Sequence, residues 1–188
     1  ALVVGPECAI PGYPAEDLIL RGDFRARVLA AIDQLAALTA KHPAALLIGG
    51  LWQEGEAAEP AVYNAALWLE GGAIRHVIRK HTLPNEGVFD EKRVFQPGPI
   101  PEPINWRGHR LGVLVCRDLW NASICRHMAA KGVQALLVLN ASPFENGPDH
   151  DKDLLRQALA REHGSAHGMA VVYVNLTGGQ DEIVFDGA

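Results

Sequence analysis

The chain of 188 residues is 48% hydrophobic and 21% charged, the composition of one compact α/β domain that buries roughly 70% of its unfolded surface, which argues against disorder. A net charge of −5, a pI near 5.9 and dispersed Lys and Arg exclude a phosphate-backbone binder, so no nucleic-acid partner is expected. No apolar run approaches the roughly 18 residues of a membrane span, the opening "ALVVGPECAIPGYP" lacks a basic leader, and Cys8, Cys116 and Cys125 are odd in number without CxxC spacing, which together point to a cytoplasmic chain with reduced thiols and no membrane partner.

In chain order, "ALVV" reads as a strand that starts abruptly. A helix follows from Asp23, which is placed to cap it, with Phe24, Val28, Ile32, Leu35 and Leu38 as its core stripe and Lys41, His42 and Pro43 as its end. Strands are expected at 44–50, 61–72 and 73–80, the last two joined as a hairpin through Gly71 and Gly72. The Pro- and Gly-rich stretch 83–103 is too long for a simple connection and reads as an ordered functional loop, its "FDEKR" taking an exposed course. Regular alternation then returns: strand 110–116, helix 121–131, strand 134–140, helix 151–167, strand 170–176 and a short strand 182–185. Apolar strands alternating with helices give a layered α/β sheet covered by helices, and no repeat or linker divides the domain.

Cys116 stands at the C-terminal end of the run "LGVLVC", where open α/β sheets place their ligands and where backbone N–H groups can hold an oxyanion. Lys80 ends a strand after "HVI", and Glu7 follows "LVVGP" at the end of the first strand. Singly these residues read as a small buried thiol and two solvated charges. Together they make an acyl-transfer site: the carboxylate takes the thiol proton, and the ammonium stabilises thiolate and tetrahedral oxyanion. Such a site is expected to hold Cys116 as a low-pKa thiolate.

Glu7 in "VVGPECAIPGYPAEDL", Lys80 in "RKHTLPNEGVFDEKRVF" and Cys116 in "GVLVCRDLW" resemble the Glu-Lys-Cys triad of the nitrilase, or carbon–nitrogen hydrolase, superfamily. More narrowly, "GYPAEDLILR", "LPNEGVFDEKRVF", "NASPF" and "YVNLTGGQDEIVFDG" are similar to the glutaminase domains of glutamine-dependent NAD+ synthetases. The resemblance implies a four-layer α-β-β-α sandwich, incomplete at both ends and a fragment of a longer chain, that hydrolyses the glutamine side-chain amide through a Cys116 thioester. It further implies that the ammonia serves amidation of deamido-NAD+ by a synthetase domain in cis or trans. ATP and Mg belong to that domain, and amide hydrolysis itself needs no cofactor. A homo-oligomer is also implied, since family members associate through helices near the nucleophile.

Two departures from the family pattern fall beside the triad. Arg117 stands where Glu usually follows the nucleophile, and Glu86 where Tyr is usual. In related domains these positions hold the α-amino end of glutamine, and a guanidinium there opposes an ammonium by about 4 kcal/mol at an effective dielectric near 20. Either Glu86 and Arg117 form an ion pair and Glu86 meets the ammonium, or the pocket takes another amide, one bearing a carboxylate for Arg117. A third reading turns Arg117 outward to Asp118 or solvent. A catalytically silent regulatory module is the remaining alternative. A further departure is the acidic "PDHD" after "SPFENG"; Ser142 and Phe144 stay as pocket candidates, and Trp120 as a pocket wall.

His163 and His167 share a helix face, yet two ligands make no zinc site, so no metal is expected and both read as solvent-exposed. Gly178-Gly179 lacks the spacing of a phosphate loop. Cys125 reads as helix packing, and Trp52, Trp68 and Trp106 as core or interface anchors.

Overall fold

A computed structural model describes residues 1–55, 60–145 and 152–187, without the side chains of 152 and 153. Strands β1 (Leu2–Val4), β2 (Ala45–Glu54), β3 (Ala61–Glu70) and β4 (Ala73–Arg79) form one sheet in that order, β1 parallel to β2 and the others antiparallel. Strands β5 (Ile104–Trp106), β6 (His109–Val115), β7 (Ala135–Asn140) and β8 (Ala170–Asn175) form a second, with β6, β7 and β8 parallel and β5 antiparallel at one edge. A hairpin of β9 (Thr177–Gln180) and β10 (Ile183–Asp186) follows. The helices are α1 (Gly22–Leu38), the single turn α2 (Glu91–Val94), α3 (Ala122–Ala130) and α4 (Lys152–His167).

Side-chain alternation along the strands builds the layers. On β3, Ala65, Leu67 and Leu69 face Val28, Ile32 and Ala36 of α1, while Ala66 and Trp68 face the second sheet. On β6, Val113 and Val115 point back at the first sheet, and Leu114 packs under Ile124, Cys125 and Met128 of α3. Strands covered on both faces need apolar residues at every position, which "LGVLV" and "ALLVL" supply. Each fully buried Leu among them contributes about 1.5–3 kcal/mol. The order helix, sheet, sheet, helix is the four-layer sandwich that the resemblance implies, with one core between the sheets and one under each helix layer. The same alternation sends Asn64, two residues before Ala66, and Lys80, two beyond Ile78, into that inter-sheet space.

Several local expectations are corrected. Arg21, not Asp23, occupies the position before α1; Asp23 sits in the first turn, 3.0 Å from the Arg21 guanidinium, where the helix dipole favours a carboxylate. Leu38 is exposed, because the chain tightens into a 3-10 turn at Thr39–Lys41 and Ala36 fills the core instead. Strand β2 runs on through its glycines to Glu54. Strand β5 is too short and β9 too polar to be read alone, and both exist through pairing with β6 and β10. The stretch 83–103 contains α2, and its "FDEKR" is not uniformly exposed: Glu91 is buried while Asp90 and Lys92 face solvent. His163 is buried and stacks on His167 with ring centroids 6.2 Å apart. The "PDHD" sequence at 148–151 lies outside the described residues.

Candidate active site

Each candidate reaches the inter-sheet space by a distinct local device. Beyond β1 the chain lies across β2 at Gly49: Gly5 N donates to Leu47 O at 2.8 Å, Gly49 N to Pro6 O at 3.0 Å and Ile10 N to Gly49 O at 3.3 Å. A Cβ at position 49 would fall 2.6 Å from the carbonyl carbon of Glu7 and overlap the backbone of Pro6 and Cys8, so only glycine lets Glu7 descend between the sheets. Lys80 directly continues β4; its N–H donates to Asn64 O at 2.8 Å and its carbonyl accepts from Gly98 N at 2.7 Å. Cys116 directly follows β6 with φ 47°, left-handed for a residue with a side chain, and opens a 3-10 turn, Cys116–Trp120. That conformation costs on the order of 1–3 kcal/mol and is held by its surroundings. Asp118, fully buried, accepts from Thr82 N at 2.7 Å and from His81 N and Val115 N at 3.4 Å, tying the turn to the segment after Lys80.

The Lys80 ammonium donates to Glu7 Oε1 and to Glu91 Oε1, both at 2.7 Å. Glu7 and Lys80 are each 0% exposed, Glu91 3% and Cys116 6%. Asn64 Nδ2 donates to Glu7 Oε1 at 2.7 Å and to Glu91 Oε1 at 3.3 Å, Ala141 N donates to Glu7 Oε2 at 2.9 Å, and Tyr13 OH to Glu91 Oε1 at 2.7 Å. Isolated charges at this depth would be strongly penalised; here they neutralise one another and accept several N–H and O–H donors. Glu91 Oε2 is buried without a partner among the described residues.

Burial works to lower the Lys80 pKa, but Glu7 and Glu91 outweigh it and hold the amine well above its ordinary value, as an ammonium. Glu91 is raised, first by burial and then by Glu7, against the opposing pull of Lys80. Burial, followed by the charge of Glu7, pushes the Cys116 thiol well up. This corrects the expected low-pKa thiolate: burial beside Glu7 favours a neutral Cys116 thiol.

At the rim, Arg117 Nη2 lies 2.6 Å from Glu86 Oε1, with the guanidinium 5.5 Å from the centroid of the half-exposed Trp120 ring. Arg117 therefore engages Glu86 and not Asp118, whose carboxylate is spent on backbone N–H groups. Ser142 N donates to Asn175 Oδ1 at 2.9 Å, and Ser142 O accepts from Asn175 Nδ2 at 3.1 Å and Arg156 Nη1 at 3.3 Å. Phe144 is half-exposed, its N–H donating to Val184 O at 2.8 Å. The structure thus brings Glu7 and Lys80 into contact and sets Cys116 in their field; Glu86 and Arg117 pair outside them.

Glu91, Asn64, Tyr13 and Asp118 escaped the sequence reading. One signal for Glu91 was present, since Glu91 and the buried Phe95 are four residues apart and share the inner face of a turn inside "GVFDEKRVF". Asn64, in "AVYNAALWL", carried a signal in its parity with Ala66 and Trp68. Among the described residues no group of three or more His, Cys, Asp or Glu could hold a metal ion. Cys125 is buried in α3, its thiol donating to Leu119 O at 3.6 Å.

A buried carboxylate–ammonium pair with a buried thiol at a neighbouring strand end, set between two sheets, is an arrangement suited to a hydrolytic enzyme. The family model for the carbon-nitrogen hydrolases matches residues 1–187, and the chain belongs to that family. It is 37% identical over 188 residues to the glutamine-dependent NAD+ synthetase of Acinetobacter baylyi, covering 100% of this chain and 33% of that protein, so it spans about a third of the length of such relatives. The solved glutamine-dependent NAD+ synthetase of Acinetobacter baumannii, in complex with ADP, superposes with a TM-score of 0.84 at 36% identity over 99% of this chain and 34% of that one. A mutant of the amidase from Nesterenkonia sp. AN1, bearing the acetamide moiety of fluoroacetamide covalently at its active-site cysteine, gives a TM-score of 0.83 at 26% identity over 99% of this chain and 67% of the other.

Proposed function

We propose that this chain hydrolyses the side-chain amide of glutamine, with Glu7, Lys80 and Cys116 as its catalytic residues, and that the ammonia serves a synthetase domain which amidates deamido-NAD+. The observation that carries the reading is the wholly buried Lys80 ammonium, 2.7 Å from Glu7, beside a strand-end thiol. Glu7 takes the Cys116 proton as sulfur adds to the amide carbon; Lys80 and the Arg117 N–H receive the charge that develops on the carbonyl oxygen. Collapse of the tetrahedral adduct breaks the C–N bond, Glu7 returns the proton, and ammonia leaves a thioester. Water, deprotonated by Glu7, then cleaves the thioester to glutamate and free thiol. A neutral resting thiol fits this order, because proton transfer is coupled to attack.

Glutamine's remaining end is a zwitterion, and Glu86 with Arg117 offers both matching charges: Glu86 for the α-ammonium and Arg117 for the α-carboxylate. Trp120, Ser142 and Phe144 complete the substrate-binding group. ATP and Mg act in the synthetase domain and take no part in amide hydrolysis.

The test is ammonia release from glutamine by the full chain. Cys116→Ala is expected to lower it by at least about 10³-fold with a melting temperature within a few degrees. Full activity in that variant would refute the assignment. Equal turnover of butyramide and glutamine would leave an amidase that ignores the zwitterion.

A further inference from the structure

Acyl transfer by Glu7, Lys80 and Cys116 makes no use of two other buried groups, the Asn64 carboxamide and the Cys8 thiol, 0% and 1% exposed. Asn64 touches every charged member of the cluster. Its Nδ2 donates to Glu7 Oε1 at 2.7 Å and Glu91 Oε1 at 3.3 Å, and its backbone carbonyl accepts from Lys80 N at 2.8 Å. Two carboxylates share one ammonium here, so the cluster as a whole has an appetite for a proton. N–H donation to a carboxylate favours its ionised form.

A carboxamide donates from one side only, and its other side must then meet a donor. Cys8 supplies it: Sγ lies 3.5 Å from Asn64 Oδ1. Burial, then the charge of Glu7, raises the Cys8 pKa well above the ordinary thiol range, so Cys8 remains a donor across working pH.

The geometry points to Asn64 as a positioning residue that holds Glu7 and Glu91 in register for proton transfer, with Cys8 fixing which way its amide faces. The inference rests on the reading of Glu7 as the base for Cys116. Tyr13, Tyr173, Lys80, Cys116 and the Ala141 N–H also face this cluster, and none of them turns with the Asn64 amide.

The experiment follows Cys116 alkylation by iodoacetamide against pH, read by mass spectrometry of the Cys116 peptide, alongside glutamine hydrolysis, in the full chain. Asn64→Leu keeps the branching without donors, and Asn64→Asp keeps the shape with a third carboxylate. Both are expected to slow alkylation at neutral pH tenfold or more and to move its acid limb upward by about one pH unit, further in Asn64→Asp. Cys8→Ala is expected to move the limb the same way by less, and Cys8→Ser, which keeps a donor, to restore it. A folded Asn64→Asp with the parental acid limb overturns the role of Asn64, whether or not Asn64→Leu folds. Identical profiles for Cys8→Ala and Cys8→Ser overturn that of Cys8. Should the parent fail to hydrolyse glutamine while the limbs move as described, the substrate reading fails and the positioning role stands.

Discussion

Arg117 and Glu86 are exposed enough that their ion pair adds little to stability, about 0–1 kcal/mol at most. The pair matters for what it presents to a ligand. Arg117→Gln is expected to raise the KM for glutamine about tenfold with kcat nearly unchanged, and to do less for glutamine amide, which lacks the α-carboxylate. Added salt is expected to raise the KM of the parent more than that of the variant. An unaltered KM in steady-state ammonia assays would remove Arg117 from recognition. Deeper in, Glu91→Gln keeps the shape but sets an amide where Oε1 accepts from Lys80, Tyr13 and Asn64. Its expected signature is a fall in kcat of at least about 10²-fold with KM little changed. The residue level was legible in the sequence only in part. Glu7, Lys80 and Cys116 announce themselves because each follows an apolar run, which places a reactive group at a strand end. Glu91 and Asn64 do not, because what makes them part of the site is hydrogen bonding to Lys80 and Glu7 that only the tertiary structure supplies.

Among the elements, β2 meets the tightest steric demand. Gly49 sits mid-strand, where glycine ordinarily costs stability, and is kept because the segment carrying Glu7 crosses directly over it. Gly49→Ala is expected to displace Pro6–Cys8, lower the melting temperature by several degrees and cut amide hydrolysis more than tenfold, since Glu7, the proposed base, moves while Lys80 and Cys116 stay. Circular dichroism melts and ammonia assays on one preparation check both; retained activity would show that Glu7 is not placed by this crossing. The strands with strong apolar runs, β3, β6 and β7, were readable from composition. Strands β5 and β9 were not: "INW" is short and "TGGQ" has no alternation, and their hydrogen bonds come from a neighbour. Helix α2 was hidden for a similar reason, as a single turn whose inward Glu is stabilised by partners 11 and 27 residues away, Lys80 and Asn64.

At the scale of the whole molecule, periodicity was compatible with a doubly wound sheet as well as with two sheets face to face. The sandwich follows from Trp68 and Ile78 on one sheet packing against Val113, Val115 and Leu139 on the other. All three cysteines are buried, Cys116 in that core, Cys125 in the α3 layer and Cys8 in a separate cluster with Tyr13 and Phe185, which gives the protein a distinctive response to alkali. Burial, with help from neighbouring carboxylates, raises the pKa of Cys8 and Cys116 well above the thiol range and that of Cys125 to about 11. In the unfolded chain the same thiols ionise near ~8.5. Between these limits the native state binds more protons than the unfolded state, so stability is full below about pH 8.5 and falls as pH rises. Each thiol contributes at most about 1.4 kcal/mol per pH unit, and the three together about 4. Above pH 10 the raised Tyr13, Tyr173 and Lys80 act in the same direction. The urea midpoint is therefore expected to hold steady from pH 7 to 8.5 and to drop steeply by pH 10. Cys125→Ala is expected to reduce the slope of that drop by about a third, whatever its effect on stability at neutral pH, because it removes one titrating thiol without touching the site. A midpoint that stays flat to pH 10 would mean that water reaches these thiols in the native state, and the burial that keeps Cys116 a neutral thiol would go with it.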